Sequence, residues 1–580
     1  MKPAIWMTTL ICAVLLLTMP AMAAYHHEGE RDADKFLSAY PTKAGSKLDN
    51  CNLCHSGGSY VNRKGRTVEL GSCQWCHQTY GYDGAGDIEE TINAYGNAYK
   101  AAGRNAEAVT RIDGLDSDGD GVSNADEIAS NTFPGDAGDY PGLTPAPYRV
   151  YTRDQLEALG SHTQFMLMNT SRSGDSYVEY TGVPMKTLLD DAGMLDTATG
   201  IWVYAPDGWG QNHPLEYRAD LDMYHVYGNA PDGDFQYPEA TYYYDLEADK
   251  QQNPDYGWCD YSAPSCQGRT HGDPIHVEGG LKAILAYQRD GAYLDTGVLN
   301  DENKLDGEGP FRVVVPQKYV GPPDQSSRSD DQDVLWPYNY DLDHNAGSCS
   351  RSATIIKIEP LPEGTTDIDI LEAGWSYVDQ NKIIVYGAID GTDSNGNGIL
   401  DSEEGTSASD DFDGDGIPDY MDTDTAAVRH PNGIDKVRLH TAQGNLADVA
   451  CISDDDSSLP KAGKPDRVFP YGVNRFNVTG LTAGQTVTVT LVFPGNVPTN
   501  AEYYKVTSDG QWTVVPFGSN DGDNQITLAL TDGDPLTDAD GTANGVIHDP
   551  GALTTSGDAP PTTPSSSGGS SGCFIDSLLN

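Results

Sequence analysis

Gln485-Thr-Val-Thr-Val-Thr-Leu-Val-Phe493 alternates polar and apolar side chains with a period of two, the pattern of a strand with one face in a core and the other in water. Runs of the same character occur at Arg475 to Thr479 and Gln525 to Leu530. Separated by Gly, Pro and Asx turns, they predict a small β-sandwich over residues 426–556. Toward the N-terminus, Phe311 to Val315, Thr354 to Ile358 and Lys382 to Tyr386 read as further strands, while Met185 to Ala192 and Gly280 to Tyr287 read as short helices. That mixture predicts an α+β domain over 146–388. Residues 24–145 are rich in small and polar side chains, with one helical stretch around Asp87 to Ala108. The expected fold is multidomain, mainly β and α+β.

At 580 residues the chain is too long for one core, and about 150 residues per domain gives roughly four units. Asp and Glu total 87 against 35 Lys and Arg, for a net charge of -52. Such a chain repels nucleic acid and anionic lipid, and favours divalent cations or basic partners.

The ends set the compartment. Met1-Lys2-Pro3 leads into the apolar run Ala4 to Thr18, and Ala21-Met22-Ala23 offers a small-x-small cleavage site, so 1–23 reads as a secretory signal peptide. The run is shorter than the ~20 residues that span a bilayer. Export to the periplasm, cell surface or extracellular space is expected. Residues 557–580 read as a linker and anchor-like tail, with a Pro/Ser/Thr/Gly spacer from Ala559 to Gly572 ahead of Cys573. Membrane contact is expected only through an anchor at Cys573, set against the alternative of a frayed end with a spare thiol.

Cys51-Asn-Leu-Cys54-His55 and Cys73-Gln-Trp-Cys76-His77 each match the C-x-x-C-H pattern of covalent haem attachment. Two thiols three positions apart reach the two vinyl groups of one haem, and the following imidazole binds the iron. Two copies in an exported chain argue against a lone redox dithiol, and a zinc site built from four thiolates leaves His55 and His77 unexplained. Between Ala24 and Pro145 there is no methionine, and the only other histidines are His26 and His27. These are the expected distal ligands of two haems, unless His162, His213, His225, His271, His276, His344 or another subunit supplies them.

Asp116-x-Asp118-x-Asp120-Gly121-x-x-Asn124-x-x-Glu127 spaces oxygen side chains as calcium requires, with a glycine at the sharp turn and a closing carboxylate. Asp393, Asn395, Asn397, Asp401 and Glu404 repeat the spacing, and Asp411, Asp413, Asp415, Asp419 and Asp422 repeat it again, placing calcium-binding repeats over 389–425. These loops resemble the type 3 repeats of thrombospondin, which implies structural calcium. The stretch from Lys47 to His55, with Ala94-Tyr-Gly-Asn-Ala-Tyr99 and Ile112 to Gly121, resembles small exported bacterial cytochromes in which a haem motif precedes one calcium-type loop.

Tyr180-Thr-Gly-Val-Pro-Met-Lys-Thr-Leu-Leu189, Ala205-Pro-Asp-Gly208, Ile284 to Gly291 and Gly307-Glu-Gly-Pro-Phe-Arg-Val-Val-Val-Pro316 resemble the molybdopterin-binding domain of the sulfite oxidase family. That resemblance implies a pterin cofactor held with a cysteine thiolate on molybdenum. Cys259, Cys266 and Cys349 lack the family's arginine-flanked context, however, so molybdopterin is not expected. Cys259 with Cys266 is the expected disulfide, with Cys349 and Cys451 left for another. In the C-terminal part, Gly472 to Leu481, Thr486 to Leu491 and Asp532 to Val546 resemble a β-sandwich found beside surface-anchoring tails of exported bacterial proteins.

The expectation is therefore an exported, surface-associated dihaem c-type cytochrome. It would pass electrons to redox partner proteins or an extracellular acceptor, as a carrier more than an enzyme. The alternatives are a molybdopterin oxidoreductase with built-in haem acceptors, and a calcium-stabilised adhesion or filament subunit that self-assembles.

Overall fold

The structure, a computed structural model, describes residues 31–44, 46–49, 51–61, 65–70, 91–170, 175–206, 209–228, 259–296, 298–299, 305–318, 323, 344–368, 377–378, 380–456 and 458–556. Strand covers 32% of it and helix 16%, so the protein is mainly β and built of several sheets. It divides into two compact units, Met1–Thr392 and Asp393–Asn580.

The first unit begins with short helices at Arg31–Ala39, Ala94–Ala101, Ala106–Arg111 and Asn124–Ser130 around a core that includes Phe36, Leu53, Tyr95, Val109 and Ile128. One helix was expected across Asp87 to Ala108, but the described part is two. Gly103 takes φ +114, which ends the first, and the Asn105 side chain accepts from Ala108 N to cap the second. Residues 87–90 lie outside the described residues.

Two sheets follow in the same unit. One contains His162–Met168, Asp175–Pro184 and Ile284–Arg289 in antiparallel array, with Arg312–Val314 also paired to Ile284–Arg289. The other runs Tyr148–Thr152, Lys382–Gly387, Ile355–Glu359, Gly200–Tyr204, Gly210–Pro214. The strands expected at Phe311 to Val315, Thr354 to Ile358 and Lys382 to Tyr386 form, as does the helix from Met185. The helix expected at Gly280 to Tyr287 does not. Gly279 and Gly280 both adopt φ +76, outside the helical region, and Ile284-Leu-Ala-Tyr287 is buried on both faces and paired with Asp175–Pro184 and Arg312–Val314. A short, continuously apolar run has no periodicity to distinguish the two states.

The N-terminal segment is sewn to these sheets. Thr144–Pro145 pairs in parallel with Thr365–Thr366, and buried Lys47 reaches both Asp139 Oδ2 (2.9 Å) and Thr366 Oγ1 (2.6 Å). Thr67 N donates to Asp220 O at 3.2 Å and Thr67 O accepts from Asp222 N at 3.0 Å.

In the second unit a four-stranded antiparallel sheet (Thr425–Arg429, Lys436–Thr441, Thr486–Val492, Gln525–Thr531) shares one core with a five-stranded one. The latter has the order Asn445–Ile452, Val473–Thr479, Ile547–Thr554, Glu502–Val506, Trp512–Val515. Val487, Val489 and Leu491 point into that core from the alternating run, opposite Phe476 and Val478 of the other sheet.

The expected disulfides are not formed. The Cys266 thiol donates to Tyr177 O (3.4 Å), and the Cys259 side chain lies outside the described residues. Cys349 and Cys451 belong to different units, and each hydrogen-bonds within its own: Cys349 Sγ to Asn345 O (3.4 Å), Cys451 Sγ to Tyr471 O (2.9 Å).

Candidate functional site

Cys51–Leu53 forms a single helical turn, and His55 N donates to Cys51 O at 3.0 Å, so both cysteines and the histidine leave one tight loop. The following segment clamps it. Asn93 donates through Nδ2 to Asn52 O (3.2 Å) and Leu53 O (3.1 Å), its own N–H donates to Cys54 O (2.9 Å), and its Oδ1 caps the helix at Gly96 N (2.9 Å). Gly96 is required there, because a Cβ would lie 2.4 Å from Cys54 O.

Neither Cys51 nor Cys54 is in a disulfide, and burial, with the Asp32 carboxylate adding to it, pushes the Cys54 thiol up to about 12. A reactive dithiol needs the opposite shift, toward a thiolate at neutral pH. The arrangement suits a half-buried thiol that ends as a thioether. His55 Nδ1 lies 2.8 Å from Thr91 Oγ1, which leaves Nε2 as the nitrogen for iron, the orienting contact that metal-bound histidines use. Burial holds the imidazole below its ordinary range, hence neutral and able to ligate. Asp32, held by Tyr99 Oη at 2.9 Å and by Arg104, is the nearby counter-charge. These residues fit one covalent haem. Cys73, Cys76, His77, His26 and His27 lie outside the described residues.

The three acidic loops share one backbone design. The first aspartate accepts from the N–H groups three and five positions on: Asp116 from Gly119 (2.7 Å) and Gly121 (3.0 Å), Asp393 from Gly396 (2.8 Å) and Gly398 (3.0 Å), Asp411 from Gly414 (2.8 Å) and Gly416 (3.0 Å). The ninth residue of each, Asn124, Asp401 or Asp419, spans the loop by accepting from the second residue's N–H, Ser117 (3.1 Å), Ser394 (2.7 Å) or Phe412 (2.7 Å).

The loops differ at the closing acid. Asp116, Asp118 and Asp120 bring oxygens within 4.8 Å of one another, and Glu127 is 0% exposed with both oxygens lacking any hydrogen bond. Burial, followed by the charges of Asp118, Asp120 and Asp116, pushes Glu127 up to about 8. A buried carboxylate without donors, facing three more, fits a divalent cation with oxygen ligands. In the second loop Glu404 is instead satisfied by Asn395 Nδ2 (3.1 Å), Asn397 Nδ2 (2.9 Å) and Ala427 N (3.0 Å), so that loop closes on its own hydrogen bonds. In the third, Asp411, Asp413 and Asp415 converge, and buried Asp422 keeps Oδ2 without a hydrogen bond. Asp424 and His440 join Asp413 there, with His440 Nδ1 at 3.3 Å from Asp424 and 3.7 Å from Asp413. Sequence spacing missed both, since Asp424 falls past the repeat and His440 comes from a strand; nothing local signals the latter.

In the sheets of the first unit, Glu308 accepts from Arg289 Nη1 (2.6 Å), Arg312 Nη1 (2.9 Å) and Tyr180 Oη (3.1 Å), beside buried Cys349. Both guanidinium charges are engaged by one carboxylate.

No protein-family model matches this chain, and no curated protein gives a significant match. Among the described residues no helix is long and apolar enough to cross a membrane.

Proposed function

We propose that the chain is an exported dihaem cytochrome c that carries electrons between redox partner proteins, or to an extracellular acceptor, without making or breaking substrate bonds. The observation that carries this reading is the Cys51–His55 loop, in which a half-buried thiol held in its neutral form, a clamped turn and an imidazole oriented through Nδ1 occur together. His55 and His77 are the proximal ligands, and His26 and His27 the distal ones. The first and third acidic loops, whose closing acids keep oxygens without donors, hold structural calcium, and the unit from Asp393 onward is a surface-anchor type of β-sandwich. The central sheets are a relative of the sulfite oxidase domain without its cofactor, a reading favoured by the engagement of Arg289 and Arg312 with Glu308.

The test is to make the protein with haem-maturation machinery and denature it. Haem that stays with the chain through acid-acetone extraction, at two per chain, supports the proposal. Haem that extracts overturns it. Metal analysis of the same sample bears on the enzymatic alternative, since one molybdenum per chain with sulfite-dependent haem reduction would replace the carrier reading.

A further inference from the structure

Lys505 and Asp549 lie on adjacent antiparallel strands, Glu502–Val506 and Ile547–Thr554. Lys505 is opposite Gly551, so Asp549 stands two residues along on the same face, within reach of a long side chain. Their side chains are 1% and 0% exposed, with Nζ 3.0 Å from Oδ2. The approach lies outside hydrogen-bonding angles: neither Asp549 oxygen has a directed donor, while Lys505 Nζ donates to Thr537 O at 2.6 Å. Around the pair are buried Tyr503, whose hydroxyl has no hydrogen bond, and buried Asp538.

We propose that Lys505 and Asp549 condense to an intramolecular amide that cross-links these two strands. Two buried opposite charges without further donors are costly, and moving one proton from ammonium to carboxylate leaves a neutral amine against a neutral acid. Burial already holds the Asp549 carboxyl above its usual range, with Asp538 adding to it and Lys505 opposing. The Nζ lone pair attacks Cγ, the Cγ–N bond forms, and one Cγ–O bond breaks. That oxygen leaves as water, taking the acid proton and one amine proton, so no oxidant or co-reactant is needed. The single N–H left on the amide still serves Thr537 O, the acceptor that already fixes the nitrogen. Asp538 follows Thr537, is pinned by Gly533 N (2.8 Å) and His548 N (3.1 Å), and adds its negative charge to the surroundings that favour a protonated Asp549. The cross-link is independent of the haem reading.

The test is tryptic mass mapping of the full-length protein beside its Asp549→Ala variant. An acylated lysine is not a trypsin site, so the wild-type fragment that begins at Phe476 should run uncut through Lys505. It should also weigh one water less than its sequence, while D549A is cut after Lys505 at full mass. Cleavage after Lys505 at full mass in the wild type means a buried ion pair only and overturns the proposal, as does a missing water that persists in D549A. The wild-type reading stands even if the variant misfolds.

Discussion

Thr91 holds the imidazole of His55 by a 2.8 Å contact between its Oγ1 and Nδ1, from a segment that also accepts Ser56 N through the Thr91 carbonyl. Partners of this kind fix ring orientation and commonly contribute about 10–100-fold to metal-site affinity or activity. On the proposed haem reading, Thr91→Val should therefore leave haem attachment intact but speed the acid-induced release of His55 from the iron by about tenfold, with Thr91→Ser restoring the wild-type rate. Equal rates in all three proteins would mean that Thr91 does not position the ligand.

Calcium should raise the melting temperature, and the first loop should account for much of the effect. Without metal, Glu127 is a buried carboxyl pushed up to about 8, so its protonated form stabilises the fold below the unfolded value near 4.5 and that contribution disappears as pH rises through about 8. Glu127→Gln removes that loss: the calcium-free variant should melt higher than wild type at pH 8 and gain less on calcium addition. Unchanged melting of the wild type after chelation would mark these loops as solvated turns.

His213 and His225 are each 1% exposed and pulled down to about 4, first by burial, with Lys318 adding to it at His225. A histidine depressed in the fold contributes stability that is complete above the unfolded value near 6.5 and disappears as pH falls toward 4. For His213 alone this amounts to about 3 kcal/mol. The double substitution to Gln should flatten the decline in melting temperature between pH 6.5 and 4, and a slope matching wild type would show that other groups govern it.

Lys47 and Asp139 form a buried ion pair, so removing only the lysine leaves a charge without its counter-ion. Lys47→Met should cost about 3–5 kcal/mol in denaturant unfolding. Lys47→Met with Asp139→Asn should cost less than the single change. A loss below about 1 kcal/mol in the single variant would mean that water reaches Asp139.

Strands were legible in the sequence wherever one face meets solvent, as at Thr486–Val492, because alternation is then a physical consequence of half-burial. Legibility failed at Ile284–Arg289, where both faces are covered and pairing with strands distant in sequence, not local pattern, decides for a strand. The acidic loops show the same limit at the level of a site. Spacing located every loop, but which closing acid is left without donors depends on distant contacts: Glu404 is satisfied partly by Ala427 N, whereas Glu127 has none. His440 reaches the third loop from a strand, and Thr91 meets His55 across 36 residues, so neither pairing is written in a local pattern.

The five-stranded sheet of the second unit carries a consequence for its assembly. Ile547–Thr554, the last strand to be synthesised among the described residues, occupies the middle of that sheet, between Val473–Thr479 and Glu502–Val506. Before it arrives, the sheet exists only as two separate hairpins, each marginal in water by itself. A chain made from its N-terminus therefore cannot complete this sheet until Ile547–Thr554 has been made. The sheet sets only once that strand is present, so a truncation ahead of Ile547 should remove it as a whole.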